Sequence, residues 1–341
     1  MVIRRRALAL ASLALLLSSS VLSAQPKEQT RKLNKDEQKD LTTISTMLGA
    51  SQMPANDLGL AWLSSEMLKA QGNNEFIPFS VTVDSTKLSA KQVSLYWRVV
   101  SRDAPAPDPK AKKDDKGPQY AYQNLHTVDV PSGQPGPARI SRSFVVPAGE
   151  YDVYVVVKEP DPKKKSDPPA KIGIVKQTVS VLDLWNGEFN TGSVIVAERM
   201  DPVAAPLTPA QIEERPYAAI VVGSEIVPAR NPKLSKRGEL TVFVPIYNAK
   251  VDAAGAPDVI AEYNFYISQN GSEKFFNKTQ PQAFNAQTVP AGADPTAGLP
   301  GGQTIPLGSF PEGDYRLEIK ITDKLGAKSL TREAKFSVAG S

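Results

Sequence analysis

Apolar and polar residues alternate along many short segments of this chain, and Pro, Gly, Asn or Asp bounds each segment. Such alternation is typical of β-strands that bury one face. In the first half these segments are residues 80–83, 93–100, 126–130, 140–146, 151–157 and 172–181. In the second half they are residues 240–247, 259–267, 315–321 and 329–338. Strand follows strand without helical periodicity between them, which predicts an antiparallel sandwich or barrel.

The segment before these strands permits two interpretations. Leu58, Leu60 and Trp62 alternate, and a Gly/Asn-rich turn at 71–74 leads into a further apolar stretch, so we predict a strand, a turn and a second strand. A short helix over residues 56–70 is the alternative, because other apolar residues of this segment have helical spacing.

An internal repeat carries the fold prediction. The sequence PAGEYDVYVVV at 147–157 returns 164 residues later as PEGDYRLEIKI at 311–321. Pro and Gly turn the chain, and Tyr151 or Tyr315 opens an alternating strand. In immunoglobulin-like sandwiches a tyrosine at this corner hydrogen-bonds back to the backbone, and a core tryptophan lies on an earlier strand, where Trp97 lies here. We therefore predict an all-β chain with two tandem immunoglobulin/fibronectin-III-like antiparallel β-sandwiches.

We also predict domain boundaries and one short helix near the domain junction. Thr208 has the pattern of an N-cap, with Gln211 completing a capping box and Pro216 ending the helix. The expected parts are a signal peptide at 1–24, a polar N-terminal lead-in at 25–55 whose residues 27–39 carry no fold, a first sandwich at 56–182 and a second at 183–341.

Length and composition agree with this division. The 341 residues exceed what one hydrophobic core usually supports. A basic start, an apolar stretch at 7–17 and small residues before Gln25 indicate a signal peptide, with an N-terminal membrane anchor as the alternative. No later segment has the length of a transmembrane helix. We thus expect an exported chain, periplasmic or extracellular, whose mature form has no transmembrane segment.

The lack of cysteine removes several chemistries from consideration. With 0 cysteines the chain has no disulfide, no thiolate metal ligand, no catalytic cysteine and no cysteine for lipid attachment. His126 is the single histidine, and neither a Gly-x-Ser-x-Gly nor a His-Glu-x-x-His sequence occurs. We therefore predict no catalytic residue, no metal site and no cofactor, and a protein that is not an enzyme.

Charge disfavours nucleic-acid partners. The formal net charge of +4 includes Arg4, Arg5 and Arg6, so the 40 basic and 36 acidic residues leave a mature charge near +1. Lysines and aspartates are also interleaved rather than clustered. Two charged, proline-rich loops, at 103–118 and 158–171, are predicted to be solvated. The alternative is that they bind a cell-surface polymer electrostatically.

Two sets of residues are candidate binding sites. Tyr96 and Arg98 face outward from one predicted strand, and Tyr154 and Val156 from another, so adjacent strands would display an exposed aromatic and arginine patch. The alternative is that the segment around Trp62 or the second domain covers it.

The second set belongs to a long stretch, 275–304, that is predicted to be nearly free of strands. Its polar side chains would accept a ligand such as sugar, or would tie the loop to its own backbone. These side chains are Asn277, Thr279, Asn285 and Gln287.

A resemblance covers the last third of the chain. The segment FPEGDYRLEIKITDKL at 310–325, with FFNKT at 275–279 and NAQT at 285–288, resembles secreted bacterial tandem β-sandwich proteins and the sandwich domains of GWxTD-type proteins. The defining Gly-Trp-x-Thr-Asp string does not occur in this sequence. The resemblance implies a sandwich and brings no established active site.

Three classes of function remain open at this stage. The first is a non-catalytic binding or scaffolding protein of the cell envelope, with an envelope protein or a surface polymer as partner. The second is a periplasmic assembly factor or a subunit of an envelope complex. The third is an enzyme acting on a cell-surface polymer.

Overall fold

The protein is all-β, with two β-sandwiches whose described strand pairs are antiparallel except for one parallel pair in the second, and the predicted fold class is confirmed. The computed structural model describes residues 32–49, 56–103, 120–130, 137–164, 166–204, 206–221, 223–229, 231–269, 271–290 and 298–340. The predicted signal peptide at 1–24 and most of the first charged loop lie outside these residues. The predicted domain boundaries stay a prediction.

The first sandwich contains eight strands in two sheets. Sheet I has β1 and β2 on one side of β3 and β6 on the other, and sheet II has the order β5-β4-β7-β8. The strands are β1 Ala61–Ser65, β2 Leu68–Lys69, β3 Glu75–Asp84, β4 Gln92–Ser101, β5 Tyr122–Asp129, β6 Pro137–Val146, β7 Gly149–Lys158 and β8 Ile172–Val181. The strand interpretation of the segment around Trp62 therefore holds, and the helical alternative does not.

The second sandwich also has two sheets. Sheet III has the order β11-β10-β13-β17 with β9 beside β13, and sheet IV has the order β12-β19-β18-β14-β15 with β16 beside β14. The strands are β9 Asn190–Thr191, β10 Ile195–Pro202, β11 Ser224–Pro228, β12 Lys233–Ser235, β13 Glu239–Tyr247, β14 Val259–Gln269, β15 Ser272–Lys278, β16 Gln282–Phe284, β17 Leu299–Pro306, β18 Gly313–Asp323 and β19 Lys328–Ala339.

The stretch 275–304 is thus not free of strands, which corrects the prediction. β15 and β16 both pair with β14, and β17 pairs with β13 along its whole length. Propensity hides β17 because its sequence LPGGQTIP is rich in Gly and Pro. A Cβ at Gly301 or Gly302 would collide with the backbone of β13, so close strand approach selects glycine there.

Each sandwich closes around its own core. In the first, the fully buried Trp97 packs against Phe79, and its indole N–H donates to the Ser143 carbonyl at 3.2 Å. In the second, Tyr315 stacks on Phe336 with ring centroids 5.1 Å apart. The two cores draw on residues 58–181 and 196–338.

The repeated motif forms the same corner in both sandwiches. The Tyr151 hydroxyl donates to the Pro147 carbonyl at 2.9 Å, and the Tyr315 hydroxyl donates to the Pro311 carbonyl at 2.6 Å. The glycine before each tyrosine has a positive φ, +154° at Gly149 and +150° in the second copy, which favours glycine. The sequence repeat is therefore a repeat of backbone geometry.

Part of the N-terminal lead-in is helical, which corrects the expectation of no fold for residues 27–39. Helix α1 spans Lys35–Gly49. Asn34 caps it: its side chain accepts from the Glu37 N–H at 2.9 Å, and the Glu37 carboxylate accepts from the Asn34 N–H at 2.9 Å. Ile44 is the fully buried apolar residue of α1, so the helix depends on packing against the sandwich.

A second helix lies in the connection between β10 and β11. Helix α2 spans Pro209–Glu214, begins at Thr208 with the predicted capping box to Gln211, and leads into a 3₁₀ turn at Pro216–Ala219. This connection reaches from the second sandwich to the first, where α2 packs against β6.

Candidate functional site

The first predicted binding surface is the outer face of sheet II, and α1 covers it. Tyr96 and Val156 are fully buried and pack with Ile44 of the helix. The prediction of an exposed patch is therefore corrected. The segment around Trp62 does not cover this face, because Trp62 stacks on Phe79 at 5.1 Å instead. Among the described residues, the buried cluster on this face contains residues of α1 and sheet II and none of the second sandwich. Burial raises the pKa of Tyr96 to about 12.

Arg98 lies at the end of this face where α1 terminates. Its guanidinium lies between two rings, 4.9 Å from the centroid of Tyr120 and 4.8 Å from that of Tyr154. It donates to the Tyr120 hydroxyl at 3.0 Å and to the Leu48 carbonyl of α1 at 3.5 Å. A cation at the C-terminus of a helix complements the helix dipole, so Arg98 helps to hold α1 in place.

Lys158 lies at the other end of the helix and is 2% exposed. Its ammonium donates to Asp40 of α1 at 2.7 Å and to Asp161 at 2.7 Å. Asp40 also accepts from the Ser94 hydroxyl, and Lys39 pairs with Asp161 at 2.6 Å. The second charged loop, predicted to be solvated, therefore starts with a buried ion pair.

Hydrogen bonds to these lysines hold the pKa of Asp161 below its ordinary value. The bond from Lys158 is the larger cause, and the bond from Lys39 is next. The carboxylate of Asp161 is therefore ionised across the neutral range, and both lysines keep a charged partner at this end of the helix.

Two of the four side chains in the second predicted binding set hydrogen-bond to the backbone of their own segment. The Asn285 side chain accepts from the Gln287 N–H at 2.9 Å, and the Asn277 side chain accepts from the next backbone N–H at 2.8 Å. Gln287 is exposed, and the Thr279 hydroxyl is buried without a hydrogen-bond partner among the described residues. The structure places Asn277 and Thr279 at β15 and the other two after β16, and it supports the loop-tying alternative.

His126 belongs to the contact between the sandwiches. Its Nε2 lies 3.1 Å from the Glu213 carboxylate of α2, and its ring packs edge-on against Trp97 at 5.4 Å. Asn124 donates to the same carboxylate at 2.6 Å. Burial alone would raise the pKa of Glu213, but the hydrogen bond from His126 and the nearby Arg142 outweigh it, so this pKa lies below its ordinary value.

A buried polar junction joins the two sandwiches beside β2. The Lys69 ammonium lies over the Trp185 ring at 4.5 Å and donates to Asn248 at 2.7 Å. The Tyr247 hydroxyl accepts from the Lys69 N–H at 3.2 Å, and the Trp185 indole donates to the Asn74 carbonyl at 2.9 Å. Each sandwich therefore completes hydrogen bonds of the other.

Apolar packing extends this junction. Tyr217, in the 3₁₀ turn after α2, is buried and donates to the Pro78 carbonyl of β3 at 3.4 Å. Around it lies one cluster with members from both sandwiches and from the β10–β11 connection: Leu68, Ala70, Phe76, Ile195, Ala197, Ile220, Val221, Ile226 and Phe243. Such a buried, mixed interface restrains relative movement of domains.

Glu75 is the charged residue most deeply buried at this junction. It is fully buried; one carboxylate oxygen accepts from the Leu184 N–H at 3.0 Å, and the other has no hydrogen-bond partner among the described residues. Burial raises the pKa of Glu75 above its ordinary value.

A partly exposed aromatic and arginine cluster lies on the outer face of sheet IV. Phe275 is 57% exposed and meets Tyr266 edge-on at 5.8 Å, and the Arg316 guanidinium lies 4.3 Å from the Tyr266 centroid. Arg316 also pairs with Glu273 at 2.8 Å and Glu333 at 2.7 Å. The sequence analysis missed this cluster, and the FF pair at 275–276 is the signal that could have identified it, since only one phenylalanine of such a pair in a strand faces the core.

The described residues contain neither a candidate metal site nor a helix that could span a membrane. They hold no group of three or more His, Asp or Glu side chains arranged to bind a metal ion. None of the helices within the described ranges has the length and apolar character needed to cross a bilayer.

Comparison with known proteins gives weak similarities. No protein-family model and no curated protein matches the chain. Among solved structures, an Escherichia coli α2-macroglobulin activated by porcine elastase is 15% identical, with a TM-score of 0.23, over 84% of this chain and 24% of its own. A Salmonella α2-macroglobulin mutant is 12% identical, with a TM-score of 0.20, over 84% of this chain and 17% of its own.

A third similar structure contains fibronectin(III)-like modules of Clostridium thermocellum CbhA. It is 12% identical, with a TM-score of 0.18, over 78% of this chain and 86% of its own. This chain thus spans less than a quarter of the length of either macroglobulin. Similarities of this strength carry no argument about function.

Proposed function

We propose that this chain is an exported, non-catalytic binding or scaffolding protein of the cell envelope whose two sandwiches act as one rigid body. The observation that carries the proposal is the buried junction, in which Lys69 of one sandwich is held by Trp185, Tyr247 and Asn248. A polar group buried between domains keeps its hydrogen bonds in one relative orientation only. A fixed orientation is what a spacer or a platform for partners requires.

Two further features support the proposal. The N-terminal sequence has the basic, apolar and small-residue pattern of a signal peptide, which supports export to the periplasm or beyond. The partly exposed cluster of Phe275, Tyr266 and Arg316 includes Tyr and Arg, two residue types that are enriched among interface hot spots. The partner on this proposal is an envelope protein or a surface polymer.

The experiment compares the wild-type chain with Trp185→Ala and with Leu182→Ala. Trp185→Ala removes the ring beneath Lys69 and the bond to Asn74, whereas Leu182 lies nearby with its side chain 50% exposed. Each tagged chain is purified from the envelope fraction, and its radius of gyration is measured by small-angle X-ray scattering. We expect a larger radius and loss of co-purifying envelope material for Trp185→Ala alone.

Several outcomes would overturn the proposal. Recovery of the chain from the cytoplasm with its N-terminus uncleaved would exclude export. Turnover of a surface polymer by the purified wild-type chain would show an enzyme. An unchanged radius and unchanged co-purification for Trp185→Ala would show that the junction has no role in binding.

A further inference from the structure

The outer face of sheet II has the composition of a helix-binding surface. Four buried side chains form it, namely Tyr96, Leu125, Val156 and Ile174, and we call this surface the α1 groove. Ile44 fills its centre, and the partly buried Leu33, Leu41, Met47 and Leu48 pack around it. The opposite side of α1 is exposed, so the helix meets the rest of the protein through one face.

The second sandwich shows that such an apolar outer face is not needed by the fold. β18 follows the same Gly-acidic-Tyr corner as β7, yet its outward residues are Arg316, Glu318 and Lys320, and these are partly or fully exposed. On β7 the corresponding positions are Asp152, Tyr154 and Val156. The apolar character of the first face therefore serves its contact with a helix.

Charge at the end of the groove adds selectivity. Lys158 is buried there, and Asp40 of α1 lies 2.7 Å from its ammonium. Asp40 and Ile44 are four residues apart, so they lie on the same face of the helix. Without α1 this buried ammonium would keep Asp161 and lose Asp40, one of its two carboxylate partners, so the groove favours a helix that brings an acidic residue one turn before a branched apolar one.

The attachment of α1 to the groove is expected to open locally. A helix of 15 residues has marginal stability by itself in water, so its order depends on the groove. Elements attached through few buried side chains open locally without global unfolding. Local opening of α1 would therefore leave both sandwiches folded and the groove open to another helix.

We propose that the α1 groove is a binding site for an amphipathic helix of a partner protein with an acidic residue four positions before a branched apolar residue, and that α1 occupies this site in cis and competes with that helix. The proposal rests on the binding function proposed above and assigns it a surface. While α1 occupies the groove, a helix added in trans cannot bind. Its apparent association constant therefore equals the intrinsic constant multiplied by the fraction of molecules in which the groove is open.

The probe is a fluorescent synthetic peptide of residues 33–49, titrated against full-length chains. Ile44→Asp places an unpaired charge against the groove and releases α1, whereas Ser45→Asp adds the same charge on the exposed side of the helix. We expect Ile44→Asp to bind the peptide at least about tenfold more tightly than the wild-type or Ser45→Asp chain. Fluorescence anisotropy measures the binding, and near-UV circular dichroism checks the fold.

Two controls make the result decisive. Asp40→Lys in the full chain sets like charges together at Lys158 and releases α1 by a different route, so it replaces Ile44→Asp if that chain fails to fold. A peptide carrying Asp40→Lys is expected to bind neither released chain. Equal binding to wild-type and released chains, or no binding to a folded released chain, would overturn the proposal. Neither result bears on export or on envelope co-purification, so failure here is separable from failure of the proposed function.

Discussion

Substitutions at the two tyrosine corners test whether the two sandwiches unfold cooperatively. Tyr151→Phe and Tyr315→Phe each keep the ring and remove one hydroxyl, and with it the hydrogen bond to a proline carbonyl at 2.9 or 2.6 Å. A hydrogen bond of this kind contributes about 0.5 to 1.5 kcal/mol net, so each substitution should lower the free energy of unfolding by about 1 kcal/mol. For domains of this size the melting temperature falls by about 2 to 4 °C for each such loss.

The distribution of tryptophan makes the assay specific. Of the three tryptophans, Trp62 and Trp97 pack in the first sandwich and Trp185 lies at the junction, so fluorescence reports unfolding of the first sandwich and its contact. Urea unfolding is followed by this fluorescence and, in parallel, by far-UV circular dichroism. Because the junction is buried, we expect Tyr315→Phe in the second sandwich to shift the fluorescence midpoint as much as Tyr151→Phe does.

A matched control is available in the same strand system. Tyr266→Phe removes a hydroxyl whose contact to Glu318 is long, at 3.4 Å, so it should change stability by less than about 0.5 kcal/mol. Suppose Tyr315→Phe shifts the dichroism transition and leaves the fluorescence transition unmoved. The sandwiches would then unfold independently, and the argument for a rigid body would fail.

Two further predictions concern pH. Burial raises the pKa of Glu75, and a carboxyl group whose pKa is raised in the folded chain destabilises the fold as the pH rises above the ordinary pKa of the group. Glu75→Gln should therefore raise the melting temperature at neutral pH, and this gain should vanish near pH ~4. A gain that persists unchanged in acid would contradict this. The pKa of Asp161 is lowered by Lys158 and then by Lys39, so its stabilising effect is complete above the ordinary carboxyl pKa and is lost as the pH falls through the lower folded value. The hydrogen-exchange protection factors of α1 amides should fall below pH ~4, while those of β14 amides are kept; an equal fall in both would show global acid unfolding instead.

Strands were predictable where burial is one-sided. β14 and β18 alternate strictly between buried and less buried positions, and the sequence alternates with them. β4 is different, since every position from Val93 to Val99 is buried. Alternation in sequence places Tyr96 and Arg98 opposite Trp97, but it cannot state what covers the second face. The missing information was α1.

Helix α1 was missed because little of its own sequence is apolar. Its N-terminal part is charged, and its buried positions include Glu37 and Asp40 as well as Ile44. A polar residue that is buried against a complementary charge is invisible to a pattern of hydrophobic positions. The partner of Asp40 is Lys158, distant in sequence and itself assigned to a solvated loop, so neither residue identified the other before they were placed together.

Four buried charges of the described residues lie where separate elements meet. Lys69 and Glu75 lie at the junction of the sandwiches, and Lys158 and Asp40 lie between α1 and sheet II. Apolar side chains at such positions would be at least as stabilising, because burying charges carries a desolvation cost. An apolar contact, however, tolerates sliding, whereas a buried ammonium or carboxylate requires its partner at one position. These contacts therefore carry a desolvation cost and in return fix the relative orientation of the elements that they join. A platform for partners depends on that fixed orientation.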